Sequence, residues 1–189
     1  MCIDYRRLNA ITTRDRYPLL YIEDLIDRLH RSSVFTKIDL ASGYHRLRIH
    51  MDDRHKMAFV APDGLYEWTV IPIGLTNAPS AFMHAMHCIL GPYKKFAIVY
   101  LDDVLISSHS LAEHKMHVDT ILLAIGAAHL RLNEPKCVFG ATDMQFVGVK
   151  VNSSGIHTED RKIVALNDWP VPASTAQLRS FLGLDGHYK

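Results

Sequence analysis

The sequence lacks paired cysteines, long apolar runs and a strong excess of either charge. Its three cysteines, Cys2, Cys88 and Cys137, have no paired spacing, and such a set is typical of a reducing, intracellular setting. Apolar runs such as Phe96–Leu101 are far too short to cross a bilayer. No positively charged start followed by an apolar stretch marks a secretory signal. We therefore expect no membrane partner.

The charge balance does not by itself indicate a nucleic-acid-binding protein. The formal net charge is only +1, whereas nucleic-acid-binding domains are usually more basic. From charge alone, a solvated surface of mixed charge is the favoured interpretation. The basic residues are nevertheless grouped in the sequence, as Arg6, Arg7, Arg14 and Arg16 and as Arg46, Arg48, Arg54 and Lys56.

Histidine is abundant, with twelve residues in the chain. The segments His84-x-x-His87-Cys88 and His114-x-x-His117 could each place ligands on one helical face. Neither segment has a cysteine or acidic complement at zinc-finger spacing. We therefore favour exposed helix histidines over a structural zinc site.

Helical and strand patterns alternate along the chain. Helices and hairpins in this order indicate an α+β fold, with helices packed on a mainly antiparallel sheet. Helices are predicted over Ile22–Leu29 and over Thr158–Trp169. Three more are predicted from their first residues: one begins at the cap Asn77 with Pro79 in its first turn, one at the capping box Ser110-x-x-Glu113, and one at the cap Ser174-x-x-Gln177. Strands are predicted over Cys2–Leu8, Val34–Leu40, Arg46–His50, Met57–Ala61, Tyr66–Ile71, Phe96–Tyr100, Val104–Ile106 and Gln145–Val151.

Two acidic sites stand at strand ends. Tyr100-Leu101-Asp102-Asp103 separates two apolar strands, and adjacent carboxylates make a poor hairpin turn unless a cation holds them. Alone, this tetrapeptide fits either a solvated turn or a metal site. Asp39 ends another predicted strand, and three converging carboxylates would suit Mg²⁺. Two such ions could activate a primer 3′-hydroxyl and stabilise leaving pyrophosphate.

Several segments also resemble those of a known family, in family order and over nearly the whole chain. They are Cys2–Asn9, Phe35–His45, Gly74–Pro79, Tyr100–Asp103, Phe146–Gly148, Asp168–Pro172 and Leu178–Leu184. Together they resemble the reverse transcriptase of gypsy-type LTR retrotransposons. The resemblance implies a polymerase palm, with partial fingers and a primer-grip strand over 145–151 within residues 1–152. Residues 153–189 would begin the thumb or connection region.

The resemblance also implies roles for individual residues. Asp39, Asp102 and Asp103 would bind two Mg²⁺ ions, with Mn²⁺ as a substitute, and Lys136 would protonate pyrophosphate. Around the nucleotide, the Leu40 carbonyl would complete the ligand shell of one metal ion, and the N–H groups of Ser42 and Gly43 would face the triphosphate. Tyr44 would exclude a ribose 2′-hydroxyl. Ile73 would lie beneath the sugar. Template and primer would be held by Gly74, Asn77, Pro79, Tyr100, Leu101, Phe146, Val147 and Gly148.

The chain departs from the family pattern at two positions. Ile73 replaces a phenylalanine, which reduces packing beneath the sugar. Met83 replaces a glutamine, which removes a polar side chain and its hydrogen bonds near the template loop. The pattern also extends beyond both ends, so we expect a truncated polymerase that lacks a triphosphate-binding arginine and has little activity alone.

Three functions remain compatible with the sequence. The first is an RNA-directed DNA polymerase that acts on dNTPs and a primed RNA or DNA template. Its parent polyprotein would carry RNase H and integrase regions, in a cytoplasmic virus-like particle or the nucleus. The second is an inactive remnant that binds nucleic acid weakly. The third is a two-metal nuclease or cyclase, which the Tyr44 gate and the Asn77-Ala78-Pro79 loop disfavour.

Overall fold

The computed structural model describes most of the chain. The described residues are 3–15, 17, 29, 32–41, 43–158, 169, 171–172 and 174–186. Ser42 lies outside them, as does most of the two helices expected over Ile22–Leu29 and Thr158–Trp169.

The described elements confirm an α+β fold. The helices are α1 Arg6–Ile11, α2 Ala78–Leu90, α3 Leu111–Ala127 and α4 Thr175–Gly186. The strands are β1 Val34–Asp39, β2 Phe59–Ala61, β3 Gly64–Tyr66, β4 Ala97–Tyr100, β5 Asp103–Ser108, β6 Val138–Ala141, β7 Asp143–Phe146, β8 Val149–Asn152 and β9 Gly155–Thr158. Short 3₁₀ helices cover Gly43–Arg46, Met51–Met57, Gly91–Tyr93 and Glu134–Lys136.

An antiparallel sheet with strand order β4-β5-β1-β6 forms the centre. Successive side chains of a strand point to opposite faces, so each strand divides its residues between two clusters. On one face, Ile38 and Val104 are fully buried with Phe82 of α2 and Ile121 of α3. Burial of each such side chain stabilises the fold by about 1.5–3 kcal/mol. The two helices therefore cover this face of the sheet.

The opposite face carries a second cluster. Phe35 of β1 and Leu105 of β5 pack there with Phe146 of β7 and Val151 of β8. Strands β7, β8 and β9 form a separate antiparallel sheet. The alternation of side chains assigns Lys37, Asp39 and Asp103 to this same face. The acidic strand ends are thus on the side of the sheet that faces away from α2 and α3.

Helix α3 is fixed by polar contacts as well as apolar ones. The Ser110 hydroxyl accepts a hydrogen bond from the Glu113 backbone, which confirms the expected cap. The Glu113 carboxylate accepts from the His109 backbone instead of the Ser110 backbone. The buried ring of His114 joins Thr36 of β1 to Ser108 of β5 through hydrogen bonds of 2.7 and 2.8 Å. This network satisfies polar groups that would otherwise be buried without partners.

Several predicted elements are wrong. Residues 6–11 are helical, so Cys2–Leu8 is not an edge strand. The segment Arg46–His50 has only an isolated bridge, between Arg48 and Val70, and β3 ends at Tyr66. Asn77 does not cap α2 with its side chain. Short aromatic and β-branched runs favour strands locally, but in these segments packing and side-chain hydrogen bonds determine the backbone.

The continuous strand predicted over Gln145–Val151 is also wrong, because the segment is a hairpin. Strands β7 and β8 pair from Phe146 to Val149, and Val147 and Gly148 form the turn with φ of 47° and 80°. Positive φ at both central residues is the geometry of the type I′ turn. Valine is strained there because its branched Cβ crowds the backbone.

No described helix is long and apolar enough to cross a membrane.

Candidate active site

The central sheet brings two of the three candidate carboxylates into direct register. Asp39 is the last residue of β1 and pairs with Asp103, the first residue of β5. Both therefore belong to the same face of the sheet. Asp102 precedes β5 in the turn, and its carbonyl accepts a hydrogen bond of 3.1 Å from the Leu40 backbone. The backbone thus gathers Asp39, Asp102 and Asp103 at one end of the sheet.

The turn that carries the carboxylates has a demanding conformation. Its central residues are Leu101 and Asp102, because Tyr100 pairs with Asp103. Leu101 has φ of 52°, in a region that non-glycine residues rarely adopt. Its backbone N–H donates to the sulfur of Met83 at 3.0 Å, and Met83 is fully buried in α2. The Met83 sulfur therefore accepts a hydrogen bond from the turn that carries the carboxylates, whereas the glutamine of the family pattern was expected to bond near the template loop.

Two lysines neutralise part of the negative charge. The Lys37 ammonium lies 3.0 Å from an Asp103 oxygen, and both side chains are about a quarter exposed, at 24% and 25%. The Lys136 ammonium lies 3.8 Å from Asp39, but its side chain is 68% exposed. Solvent screens the second pair far more than the first. The structure therefore places both Lys37 and Lys136 beside the carboxylates.

Residues of the loop that precedes β6 bond to the backbone of Asp39. The Asn133 backbone donates to the Asp39 carbonyl at 2.9 Å, and the Asp39 backbone donates to the Cys137 sulfur at 3.4 Å. Leu40 continues the contact through a bridge with Leu132. These bonds fix the backbone at Asp39, so its carboxylate projects from a constrained position.

Tyr44 lies between Asp102 and Phe82 of α2. Its hydroxyl donates to an Asp102 oxygen at 3.5 Å, and its ring packs on Phe82 with centroids 5.3 Å apart. Burial, followed by the Asp102 charge and hydrogen bond, raises the pKa of Tyr44 above its ordinary value. A Cβ at Gly43 would come within 2.6 Å of the Phe82 ring. Only glycine therefore fits at residue 43 without displacing this ring.

The donor set fits divalent cations in its chemistry. Carboxylate oxygens are the ligands that Mg²⁺ and Mn²⁺ prefer, and Asp39, Asp102 and Asp103 supply them from adjacent strand ends. Within the described residues, however, no three His, Cys, Asp or Glu side chains are arranged to coordinate one ion. Asp39 and Asp103 instead contact lysines. Coordination thus requires these side chains to turn toward a shared ion.

The predicted template loop is joined to the segment around α1. The Asn9 amide donates to the Gly74 carbonyl at 2.8 Å and accepts from the Thr76 backbone at 2.9 Å. The Asn77 amide donates to the Thr13 carbonyl at 2.9 Å and accepts from the Asp15 backbone at 3.1 Å. We call these four bonds the amide clamp. The clamp explains why Asn77 is not free to cap α2.

The remaining candidates lie in neighbouring parts of the molecule. Ile73 is 66% exposed and lines a cavity of about 470 Å³ with Tyr5, Trp68 and others. Pro79 lies in the first turn of α2. Phe146 is buried in the cluster against which Tyr100 and Val147 pack. The hairpin predicted to hold the primer therefore shares a face of the central sheet with Asp39 and Asp103.

Sequence reasoning missed three residues that the structure connects to this region. Lys37 stands two residues before Asp39, and the two-residue period of a strand could have placed both on one face. Met83 was interpreted only as the loss of glutamine. Asn9 was noted only as the end of the Cys2–Asn9 segment, because the partners of its side chain lie 65 and 67 residues away along the chain.

Known proteins with sequences similar to that of this chain include two transposon polyproteins. The chain is 38% identical over 188 residues to the retrovirus-related Pol polyprotein from transposon 297 of Drosophila melanogaster, covering 99% of the chain and 18% of that protein. It is 38% identical over 184 residues to the transposon Tf2-3 polyprotein of Schizosaccharomyces pombe, covering 97% of the chain and 14% of that protein. The chain thus spans less than a fifth of these relatives.

Solved structures with the same fold include a foamy viral protease–reverse transcriptase in complex with double-stranded DNA. It superposes with a TM-score of 0.87 at 22% identity, covering 97% of this chain and 32% of that one. A complex of the foamy viral protein with an RNA/DNA hybrid has a TM-score of 0.80 at 22% identity, covering 96% and 25%. The profile described as reverse transcriptase (RNA-dependent DNA polymerase) matches residues 1–151. The chain therefore belongs to the reverse transcriptase family.

Proposed function

We propose that this chain is the palm of an RNA-directed DNA polymerase, which transfers a nucleotide from a dNTP to a primer 3′-hydroxyl. The observation that carries the proposal is the register of Asp39 with Asp103, beside Asp102 in the adjoining turn. Asp39, Asp102 and Asp103 would hold two Mg²⁺ ions, or Mn²⁺ in their place. When bound, the ions would activate the primer hydroxyl and stabilise charge on the leaving pyrophosphate.

The chain's own residues supply orientation and proton transfer in this proposal. The Leu40 carbonyl and the N–H groups of Ser42 and Gly43 are assigned to the nucleotide. Lys136, 3.8 Å from Asp39, would donate a proton to pyrophosphate. Tyr44 would clash with a ribose 2′-hydroxyl, and its contacts with Asp102 and Phe82 would hold the ring in place. Ile73 would pack beneath the sugar.

Template and primer would occupy the face of the sheet that bears the carboxylates. Gly74, Asn77 and Pro79 would contact the template, while Tyr100, Leu101, Val147 and Gly148 would contact the primer. Phe146, which is buried in the second cluster, would act in primer binding by supporting the Val147–Gly148 turn. The structural neighbours that carry double-stranded DNA and an RNA/DNA hybrid support a duplex as the partner. The relatives are polyproteins, so we propose RNase H and integrase regions in the parent protein. A virus-like particle in the cytoplasm, or the nucleus, would be its location.

Primer extension on poly(rA)/oligo(dT) with Mg²⁺ tests this function, in the 189-residue chain and in longer versions from the same locus. Asp102→Asn should reduce extension at least a hundredfold, because it removes a charge that binds the ions. Asp119→Asn, on the exposed side of α3, is the matched control and should extend normally. Tyr44→Ala should increase ribonucleotide incorporation relative to deoxyribonucleotide. Absence of extension in every version, or full activity of Asp102→Asn, would overturn the proposal.

A further inference from the structure

Lys37 and Asp103 form the least exposed ion pair of a lysine or arginine among the described residues. Their side chains are 24% and 25% exposed, whereas in every other such pair at least one partner is more than half exposed. Partial burial weakens screening by solvent and salt, so this pair is screened less than the other ion pairs of the described residues. A pair in this position therefore requires an explanation beyond surface solubility.

The location of the pair connects it with the carboxylate site. Lys37 lies diagonally across β1 and β5 from Asp103, since Lys37 pairs with Leu105 and Asp39 pairs with Asp103. Directly opposed like charges destabilise a strand pair, and Asp39 and Asp103 are opposed in this way. The Lys37 ammonium offsets that repulsion while no divalent ion is bound. Any divalent cation at Asp103 must then compete with an ammonium group already 3.0 Å away.

We propose that Lys37 is a built-in counter-cation that competes with divalent metal for Asp103 and sets the metal affinity of the site. Lys37 is a positioning residue: it acts through the Asp103 carboxylate and not on the substrate. This inference rests on the proposed function, because it requires a metal site at Asp39, Asp102 and Asp103. Lys136 contributes less to the competition, because its longer separation from Asp39 and its 68% exposure weaken the contact.

Mn²⁺ binding in the absence of nucleotide and nucleic acid tests the competition directly. Lys37→Met keeps most of the apolar stem and removes the charge, so the dissociation constant for Mn²⁺ should fall roughly three- to tenfold, as expected from the screened repulsion of a nearby positive charge. Lys37→Arg should bind as the wild type does. Lys56→Met removes the exposed pair with Asp53, 2.5 Å apart in the Met51–Met57 segment, and should leave Mn²⁺ affinity unchanged.

Asp102→Asn separates failure of this inference from failure of the proposed function. Where wild-type Mn²⁺ binding is lost with Asp102→Asn, the ion occupies the proposed site. If Lys37→Met then leaves the affinity unchanged or weaker, Lys37 is not a competitor, although the metal site stands. If Mn²⁺ binding is absent, or is unchanged by Asp102→Asn, the proposed metal site is wrong and this inference fails with it.

The ion pair can also be tested without metal, through its effect on the free energy of unfolding. In metal-free buffer, the stabilities of Lys37→Met, Asp103→Asn and the double variant form a cycle. The double variant should lose less stability than the sum of the single variants, because each single change removes the same pair. Strict additivity of the two changes would show that the ammonium does not hold Asp103, and would overturn the inference.

Discussion

At the scale of single residues, the carboxylate turn depends on a side chain from a different element. Leu101 adopts φ of 52°, and its N–H donates to the buried sulfur of Met83. Thioether sulfur is a weak acceptor, but without it a constrained amide would lose its partner. The departure from the family pattern at Met83 is thus compatible with an ordered carboxylate turn.

Met83→Leu should lower the free energy of unfolding by about 1 kcal/mol more than Met86→Leu does. Both methionines are fully buried in α2, so the two changes have similar effects on packing. They differ because the Met86 sulfur accepts no hydrogen bond from the residues that the structure describes. Chemical denaturation measures both values. Equal losses would show that the contact between Met83 and Leu101 contributes nothing.

At the scale of elements, sequence patterns predicted the elements that carry a clear local signal in their own residues. Strand β1 was predicted from its β-branched and aromatic residues, and helices α2 and α3 from apolar residues that recur at helical spacing. The hairpin of β7 and β8 was not, because Val147 at positive φ is an improbable turn residue. The acidic strand ends were predicted as a site, but the contacts of Lys37 with Asp103 and of Met83 with Leu101 join segments that are separate along the chain.

The network that docks α3 on the sheet should make stability depend on pH. Burial, followed by the His117 charge, lowers the pKa of His114 below its usual 6.5, although Glu113 opposes this. The unfolded chain therefore binds a proton near pH 6.5 that the folded chain binds only at lower pH. Stability contributed by neutral His114 is complete above pH 6.5 and declines as the pH falls from there toward the lowered pKa.

His114→Gln should reduce this dependence. It should be less stable than the wild type at pH 8 because the bond to Thr36 or Ser108 is lost, and its stability should decline less as the pH falls below about 6.5. Denaturation at a series of pH values measures the slope. His55→Gln, at an exposed position, controls for loss of a histidine and should keep the wild-type slope. A steep wild-type slope that persists in His114→Gln would contradict the assignment.

At the scale of the whole molecule, the amide clamp joins segments that are far apart in sequence. Asn9 and Asn77 each use both ends of one amide to bind backbone of the other's segment. Residues 9–15 and 74–80 are thereby held in a fixed relation, and Ser80 adds a bond of 3.3 Å to the Asp15 carbonyl. The predicted template loop therefore depends for its position on residues near the start of the described chain.

If the clamp acts as one unit, breaking either half should loosen both. Asn9→Ala removes the direct partner of the Thr76 amide, and Asn77→Ala removes that of the Asp15 amide. Each change should cost about 1–2 kcal/mol for two lost hydrogen bonds. Hydrogen exchange at Thr76 and Asp15 should accelerate in both variants, including at the amide whose own partner is intact. Asn152→Ala, which breaks local bonds to Ser154, should affect neither amide.

The variant with both Asn9→Ala and Asn77→Ala should lose less stability than the sum of the losses of the single variants, because the second loss occurs in segments that have already separated. Exchange that accelerates only at the amide directly deprived of its partner would show that the two asparagines form independent contacts, and would contradict a clamp that acts as one unit.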